Sequence, residues 1–333
     1  MDKLSSLIWS PLIDSLHIQP SEHIFFAADG DLYQIPIEYL PYDATQTMSD
    51  VFNIHRVSST RNIVQLAIDT VRDGITLYGG LIYSIDTAAM KQNATQSVKY
   101  ANRDVTIEES FGDSLRTTRA YINYLPGTLE EINTIKQYFS DTVILTGTMG
   151  NEESFKAMSG QGPHILHIGT HGYYLRPSSS EVRSEGIIDY SMSRTGLLLA
   201  GAQLAWSGEP VPEEIEDGIL TAKEISTLDL QNVQIAVLSA CETGTGEITS
   251  DGVAGLQRGF KKAGVQTLIM SLWKVDDNAT QLLMKEFYHH WMNGKSKHEA
   301  LRLAQNAVRY AVDEDGDRMF ENPVYWAGFI MLD

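Results

Sequence analysis

The stretch 233–246, VQIAVLSACETGTG, is an apolar run that gives way to a glycine-rich turn, with Cys241, the chain's one cysteine, at the changeover. A short continuous apolar segment bounded by turn residues is the pattern of a strand buried on both faces, as strands of parallel sheets are. A second such run, HILHIGTHG (164–172), ends the same way, with His171 followed by Gly172. If the two runs are neighbouring parallel strands, their carboxyl ends bring a thiol and an imidazole to the edge where open α/β sheets bind ligands.

Working outward, apolar strand patterns alternate with amphipathic helical ones from about Gly74 to the end, which predicts a mostly parallel sheet with crossover helices. GITLYGGLIYS and DTVILTG read as strands. TLEEINTIKQYF between them reads as a helix capped by its threonine, and a short helix is predicted around Ser154 to Met158. After Cys241 the spacing of Val253, Leu256 and Phe260 predicts one helix face, stopped by Gly264. VQTLIMSLW follows as a strand. Two helices come next, with Leu283, Phe287 and Trp291 on one face and Leu301, Ala304 and Val308 on the other, and VYWAGFIML closes the chain as a strand. Residues 1–71, with strand-like EHIFFAADG and NIHRVS and a proline-restricted YQIPIEYLP, read as a smaller amino-terminal portion layered on the α/β portion at 72–333. Polar stretches at 86–119 and 173–217 read as surface insertions.

The 333 residues carry 43% hydrophobic and 20% charged side chains, close to globular averages. No run approaches the length of a membrane helix, and the start MDKLSSLIWSPLIDS lacks a signal-type core, so a cytoplasmic protein without a membrane partner is expected. The formal charge of -18 argues against binding nucleic acid directly and suits basic segments of other proteins. A lone cysteine excludes an intrachain disulfide and a cysteine-rich zinc site.

A thiol becomes nucleophilic when an imidazole takes its proton or stabilises the thiolate. Acyl transfer also needs backbone donors aimed at the oxyanion; the N–H groups of Gly172 and Cys241 are the candidates. Free cysteine is also among the most often buried residue types, so the residues alone leave a core thiol and a nucleophile equally open. His164 and His167 lie inside the run and read as structural. ETGTG lacks the glycine pattern of a phosphate loop, and DEDGD (313–317) lacks the glutamate of a calcium loop and reads as a solvated turn. No metal site and no cofactor are expected.

At these residues the sequence resembles the CHAT family of caspase-fold cysteine peptidases, relatives of separase. ILHIGTHG, DGILTAKEISTLDL, VLSACETGTGE, GVAGLQRGFKKAGVQTLIMSLWKVDDNAT, EALRLAQNAVR and YWAGFIML fall in the family's order, and IWSPLIDSL with DGDLYQIPIEYL resembles its amino-terminal half. The resemblance implies a CHAT peptidase region over 1–333. Its expected fold is a caspase-like three-layer α/β sandwich with a mostly parallel central sheet and a smaller non-catalytic amino-terminal portion. It implies His171 as the base, Cys241 as the nucleophile, and a protein substrate cleaved after arginine or lysine. Asp277 aligns best with the acidic residue that holds the basic side chain, Asp276 is the adjacent candidate, and Trp273 and Glu242 are further substrate contacts. The alternative role for the two aspartates is capping the helix that starts near Asn278. The resemblance further implies a regulatory domain or activator, such as tetratricopeptide repeats, and makes Arg176 and Arg183 candidate self-cleavage points. A catalytically silent caspase-like scaffold is the alternative function.

Overall fold

The computed structural model describes residues 2–65, 73–98, 121–175, 191–240, 244, 246–249 and 252–333. Five fully apolar or nearly apolar runs become the centre of a mostly parallel sheet: β3 (Ile75–Leu81), β4 (Thr142–Gly147), β5 (Ile165–Gly169), β9 (Ile235–Ser239) and β12 (Thr267–Ser271). All residues of β3, β5, β9 and β12 are buried, which is why these runs show no polar alternation. The amino-terminal residues add β1 (His23–Phe26) and β2 (Asn53–Arg56), and β13 (Phe329–Leu332) completes eight strands in the order β1-β2-β13-β12-β9-β5-β3-β4. Only the β12–β13 pairing is antiparallel; the rest of the sheet is parallel.

Side chains alternate between two apolar layers. Leu166, Ile168, Ala236 and Leu238 face Phe155, Ile225 and Phe260, borne by α5 (Glu152–Lys156), α7 (Ala222–Ile225) and α8 (Leu256–Lys262). Ile165, Ile235 and Val237 face α4 (Pro126–Ile135), α9 (Asp277–Met292) and α10 (Lys297–Arg309), whose Ile132, Leu283, Phe287, Trp291, Leu301, Ala304 and Val308 are all buried. The result is the three-layer α/β sandwich that the family resemblance implies, built on the mostly parallel sheet that the alternating patterns predict. The remaining helices are α1 (Asp2–Leu16), α2 (Met48–Val51), α3 (Thr87–Val98) and α6 (Gln203–Trp206).

The amino-terminal portion has its own small core of Trp9, Ile37, Leu40, Met48 and Phe52, with the Trp9 indole N–H donating to the Ile37 carbonyl at 2.8 Å. Arg56, at the end of β2, makes a forked pair with Glu38, Nε to Oε1 at 3.0 Å and Nη2 to Oε2 at 2.7 Å, both side chains buried. β2 touches the main sheet through Arg56 opposite Leu332.

Three local expectations are corrected. The strand through His171 ends at Gly169; after one residue, Thr170, the chain starts β6 (His171–Tyr174) in a separate antiparallel sheet with β7 (Thr195–Leu198) and β8 (Ile219–Thr221). Val253 lies not on α8 but in β11 (Gly252–Gly255), paired with β10 (Gly246–Thr249), because two short glycine-bounded runs there satisfy each other's backbone groups as a hairpin. The helix cap at α4 is not Thr128. The helix opens at Pro126, whose fixed φ suits the first turn, and Thr128 lies within it, accepting from the Gly80 N–H at 2.8 Å. The polar stretch at 86–119 holds α3, while 99–119 lie outside the described residues. Gly264, at φ +103°, ends α8 in the left-handed conformation as its position predicts.

Candidate functional site

The carboxyl ends of β5, β9 and β12 lie side by side, because β9 pairs in parallel with both neighbours. The register is explicit: Gly169 stands opposite Ser239. His171 follows Gly169 by two residues, and Cys241 follows Ser239 by two. Cys241, Glu242 and Thr243 lie outside the described residues, as do Arg176 and Arg183.

His171 is partly exposed at the start of β6. Its Nε2 lies 2.7 Å from the carbonyl oxygen of Asn123. A carbonyl only accepts, so Nε2 carries the proton, and the lone pair of the neutral ring belongs to Nδ1. The ring packs 5.3 Å from Tyr83, whose hydroxyl bonds Thr170 Oγ1 at 3.0 Å; burial pushes that hydroxyl up to about 12, keeping it neutral. Thr170 Oγ1 in turn donates to the Leu198 carbonyl. The imidazole is thereby held from two sides, by the Asn123 carbonyl and the Tyr83 ring. Gly172 sits next to it in β6, opposite Leu197.

Ala240 and Gly244 both bond to one residue of β12. Ser271 Oγ donates to the Ala240 carbonyl at 2.7 Å, and the Gly244 N–H donates to the Ser271 carbonyl at 2.7 Å. A side chain at 244 would collide there, since its Cβ would fall 2.9 Å from Leu272 Cδ2 and 3.0 Å from the Ser271 oxygen. Sequence reading missed Ser271 and these two bonds; its sequence signal is a polar residue ending an otherwise apolar strand.

Beneath this edge runs a buried polar chain. Ser239 Oγ donates to Glu131 Oε2 at 3.0 Å, Glu131 Oε1 lies 2.7 Å from His167 Nε2, and His167 Nδ1 lies 3.2 Å from the Tyr288 hydroxyl. His167 and Glu131 are 0% and 4% exposed, so the pair satisfies itself in the core, and His167 holds the structural role predicted for it. Burial, reinforced by the Glu131 charge, raises the Tyr288 hydroxyl well above its ordinary range.

The two aspartates separate by task. Asp276 is the amino-terminal cap of α9, its carboxylate accepting from the N–H groups of Asn278 and Ala279 at 3.0 Å each. Asp277, the first residue of that helix, is exposed and its carboxylate has no hydrogen-bond or ion-pair partner among the described residues. Trp273, between β12 and α9, is half-buried: its Nε1 donates to the Val324 carbonyl at 2.8 Å and its ring lies against Gly328. His164 lies just before β5 with Nδ1 3.4 Å from the Asn232 carbonyl, and Asp313 accepts from the N–H groups of Asp315 and Asp317 in an exposed turn. No helix among the described residues is long and apolar enough to cross a membrane.

These features define a mostly parallel α/β protein with a candidate site at the carboxyl ends of three central strands. The chain belongs to the CHAT domain family, whose family model matches residues 1–333. Tetratricopeptide repeat protein 28 of Homo sapiens is 31% identical to it over 130 residues, covering 38% of this chain and 5% of that protein. The Mus musculus protein of the same name is 32% identical over 114 residues, 34% of this chain and 4% of its own length. Among solved structures, the Saccharomyces cerevisiae separase–securin complex aligns over 93% of this chain and 15% of its own, with a TM-score of 0.49 and 13% identity. The Arg specific cysteine proteinase gingipain R aligns over 93% of this chain and 62% of its own, with a TM-score of 0.48 and 9% identity.

Proposed function

We propose that the chain is a cysteine endopeptidase in which Cys241 attacks the scissile carbonyl, His171 takes the thiol proton through Nδ1, and cleavage follows an arginine or lysine. The observation that carries this reading is the state of His171. It stands just beyond the carboxyl end of β5, its Nε2–H is spent on the Asn123 carbonyl, and β5 pairs in register with the strand that leads to Cys241. The N–H groups of Gly172 and Cys241 serve as oxyanion donors. Asp277 receives the substrate's basic side chain, since its carboxylate is unspent while that of Asp276 caps the helix. Trp273 and Glu242 are further candidate contacts for the substrate.

Residues from about 72 onward form the catalytic portion and 1–71 a non-catalytic one. The chain spans only 5% and 4% of the curated relatives it matches, and their name supports control by tetratricopeptide repeats or a comparable activator. The absence of a membrane-crossing helix among the described residues and the net charge of -18 support a cytoplasmic setting and a basic protein substrate.

The test is hydrolysis of peptides carrying arginine, lysine, glutamate or alanine before the scissile bond, with a covalent thiol-directed probe bearing arginine. Arginine and lysine peptides should be cut, the probe should label Cys241, and Cys241→Ala and His171→Ala should each abolish cleavage. Cleavage that survives Cys241→Ala refutes the nucleophile. A Cys241 that no probe labels, with or without added tetratricopeptide-repeat protein, makes the chain a binding scaffold instead.

A further inference from the structure

Away from the candidate site, a cavity of about 340 Å³ lies at the seam between the amino-terminal strands and the main sheet, lined among others by His23, His55, Ser296, His298, Glu299 and Arg302. His55 is on β2, His298 is the second residue of α10, and Asp333 follows β13. One ring nitrogen of each histidine and one Asp333 carboxylate oxygen lie within 4.8 Å of one another. His298 Nε2 is 2.8 Å from Asp333 Oδ2, and the two imidazoles are 4.2 Å apart between centroids.

We propose that His55, His298 and Asp333 form a binding site for one divalent transition-metal ion of the zinc type, which clamps the amino-terminal strands to α10 and β13. Three observations beyond proximity point to a ligand. First, His55 is held through Nε2, 2.9 Å from His23 Nδ1, while its Nδ1 is buried with no hydrogen-bond partner among the described residues. Second, Asp333 is only 6% exposed and its two oxygens are treated differently. Oδ1 accepts from Thr267 Oγ1 at 2.7 Å and from Lys297 Nζ at 2.8 Å, whereas Oδ2 is turned to His298, whose Nε2 lies 2.8 Å away. A carboxylate anchored through one oxygen by outer groups, with the other aimed at imidazoles, is how ligating carboxylates are oriented. Third, the cavity gives solvent and ion a route to the histidines.

The donor set selects the ion. Two imidazole nitrogens and one carboxylate oxygen suit Zn²⁺, Co²⁺, Ni²⁺ or Cu²⁺, while Ca²⁺ and Mg²⁺ require mainly oxygen ligands. Three protein ligands leave a fourth position for water from the cavity.

The site is independent of peptidase activity, and so is its test. Untagged full-length protein, stripped with a chelator and dialysed, is titrated calorimetrically with zinc chloride, and with cobalt chloride while visible absorption is recorded. We expect one equivalent of Zn²⁺ per chain, a higher melting temperature on binding, and the intense d–d bands of a four-coordinate Co²⁺ site. His298→Gln, on a partly exposed helix surface, and His55→Gln should each weaken binding about 10-fold or more, whereas the double variant His289→Gln/His290→Gln on α9 should bind as the parent does. Circular dichroism of the metal-free variants establishes that they fold; if His55→Gln does not, His298→Gln and His23→Gln carry the comparison, with His23→Gln intermediate. Absence of stoichiometric binding, binding that His298→Gln leaves unchanged, or binding lost in the α9 variant would overturn the proposal.

Discussion

At the residue scale, Ser271 does more than end a strand. Its hydroxyl and carbonyl hold the residues on either side of the Cys241 segment, Ala240 and Gly244, to β12. Ser271→Ala removes the first of these bonds and leaves the backbone one, so stability should fall by only about 1 kcal/mol. Positioning should suffer more, because a nucleophile displaced by a fraction of an ångström loses its line of attack. We expect kcat/KM on arginine peptides to drop roughly 10- to 100-fold, with the loss mainly in kcat and partial recovery in Ser271→Thr. Equal losses in the melting temperature of Ser271→Thr and Ser271→Ala, with unchanged kcat in both, would reduce Ser271 to a packing residue. The orienting group of His171 shows why such details escape sequence reading: the Asn123 atom involved is a backbone carbonyl, so no side-chain type announces it.

At the scale of elements, the strands that frame the site were legible because each is buried on both faces and therefore written in unbroken apolar residues, as in ILHIG and IAVLS. The helices after β12 were legible for the complementary reason, since Leu283, Phe287 and Trp291, and Leu301, Ala304 and Val308, keep one stripe against the sheet. What stayed hidden is where one element hands over to another. HILHIGTHGYY continues as a single pattern across Thr170, and only the pairing of His171 with Leu198 shows that it changes sheet there. The His55, His298 and Asp333 cluster is hidden more deeply, because it joins three elements far apart in sequence. The start of α9 turns on the same kind of distinction, between two adjacent aspartates. Asp276→Ala removes a helix cap and should cost about 1 kcal/mol in denaturant unfolding while leaving the preference for arginine over alanine peptides intact. Asp277→Asn removes an exposed charge, so its stability should stay within about 0.5 kcal/mol, but kcat/KM on arginine peptides should fall roughly 10- to 100-fold. The reverse assignment of losses would exchange the roles of the two residues.

At the scale of the whole molecule, an acidic chain of net charge -18 gathers several carboxylates in one place beneath α5 and α7. Lys156 bridges Glu152 at 2.8 Å, Glu216 at 2.8 Å and Glu224 at 2.9 Å, and although burial lowers its value, this cluster of opposite charge together outweighs burial and holds its ammonium well above the ordinary lysine range. One ammonium cannot neutralise every carboxylate nearby. Burial, aided by the charges of Glu224 and Glu216 and opposed by the Ile219 N–H and Lys156, raises Asp217 to about 7. The sign follows from linkage. A carboxyl whose folded value lies above its unfolded value of 3.8 binds more protons when folded, so it lowers stability as pH rises from about 4 to about 7, and the full penalty persists above that. Asp217→Asn keeps an oxygen for the Ile219 N–H and cannot ionise. It should melt close to the parent at pH 4 and be more stable at pH 8 by an amount on the order of a few kcal/mol at most, the difference opening across the interval between. Calorimetric melting at pH 4, 6 and 8 measures it directly. A constant offset at all three values would mean that the charge on Asp217 is not what the fold resists; a difference that opens as pH falls would reverse the sign and place the carboxylate's ionised form among the stabilising partners of Lys156.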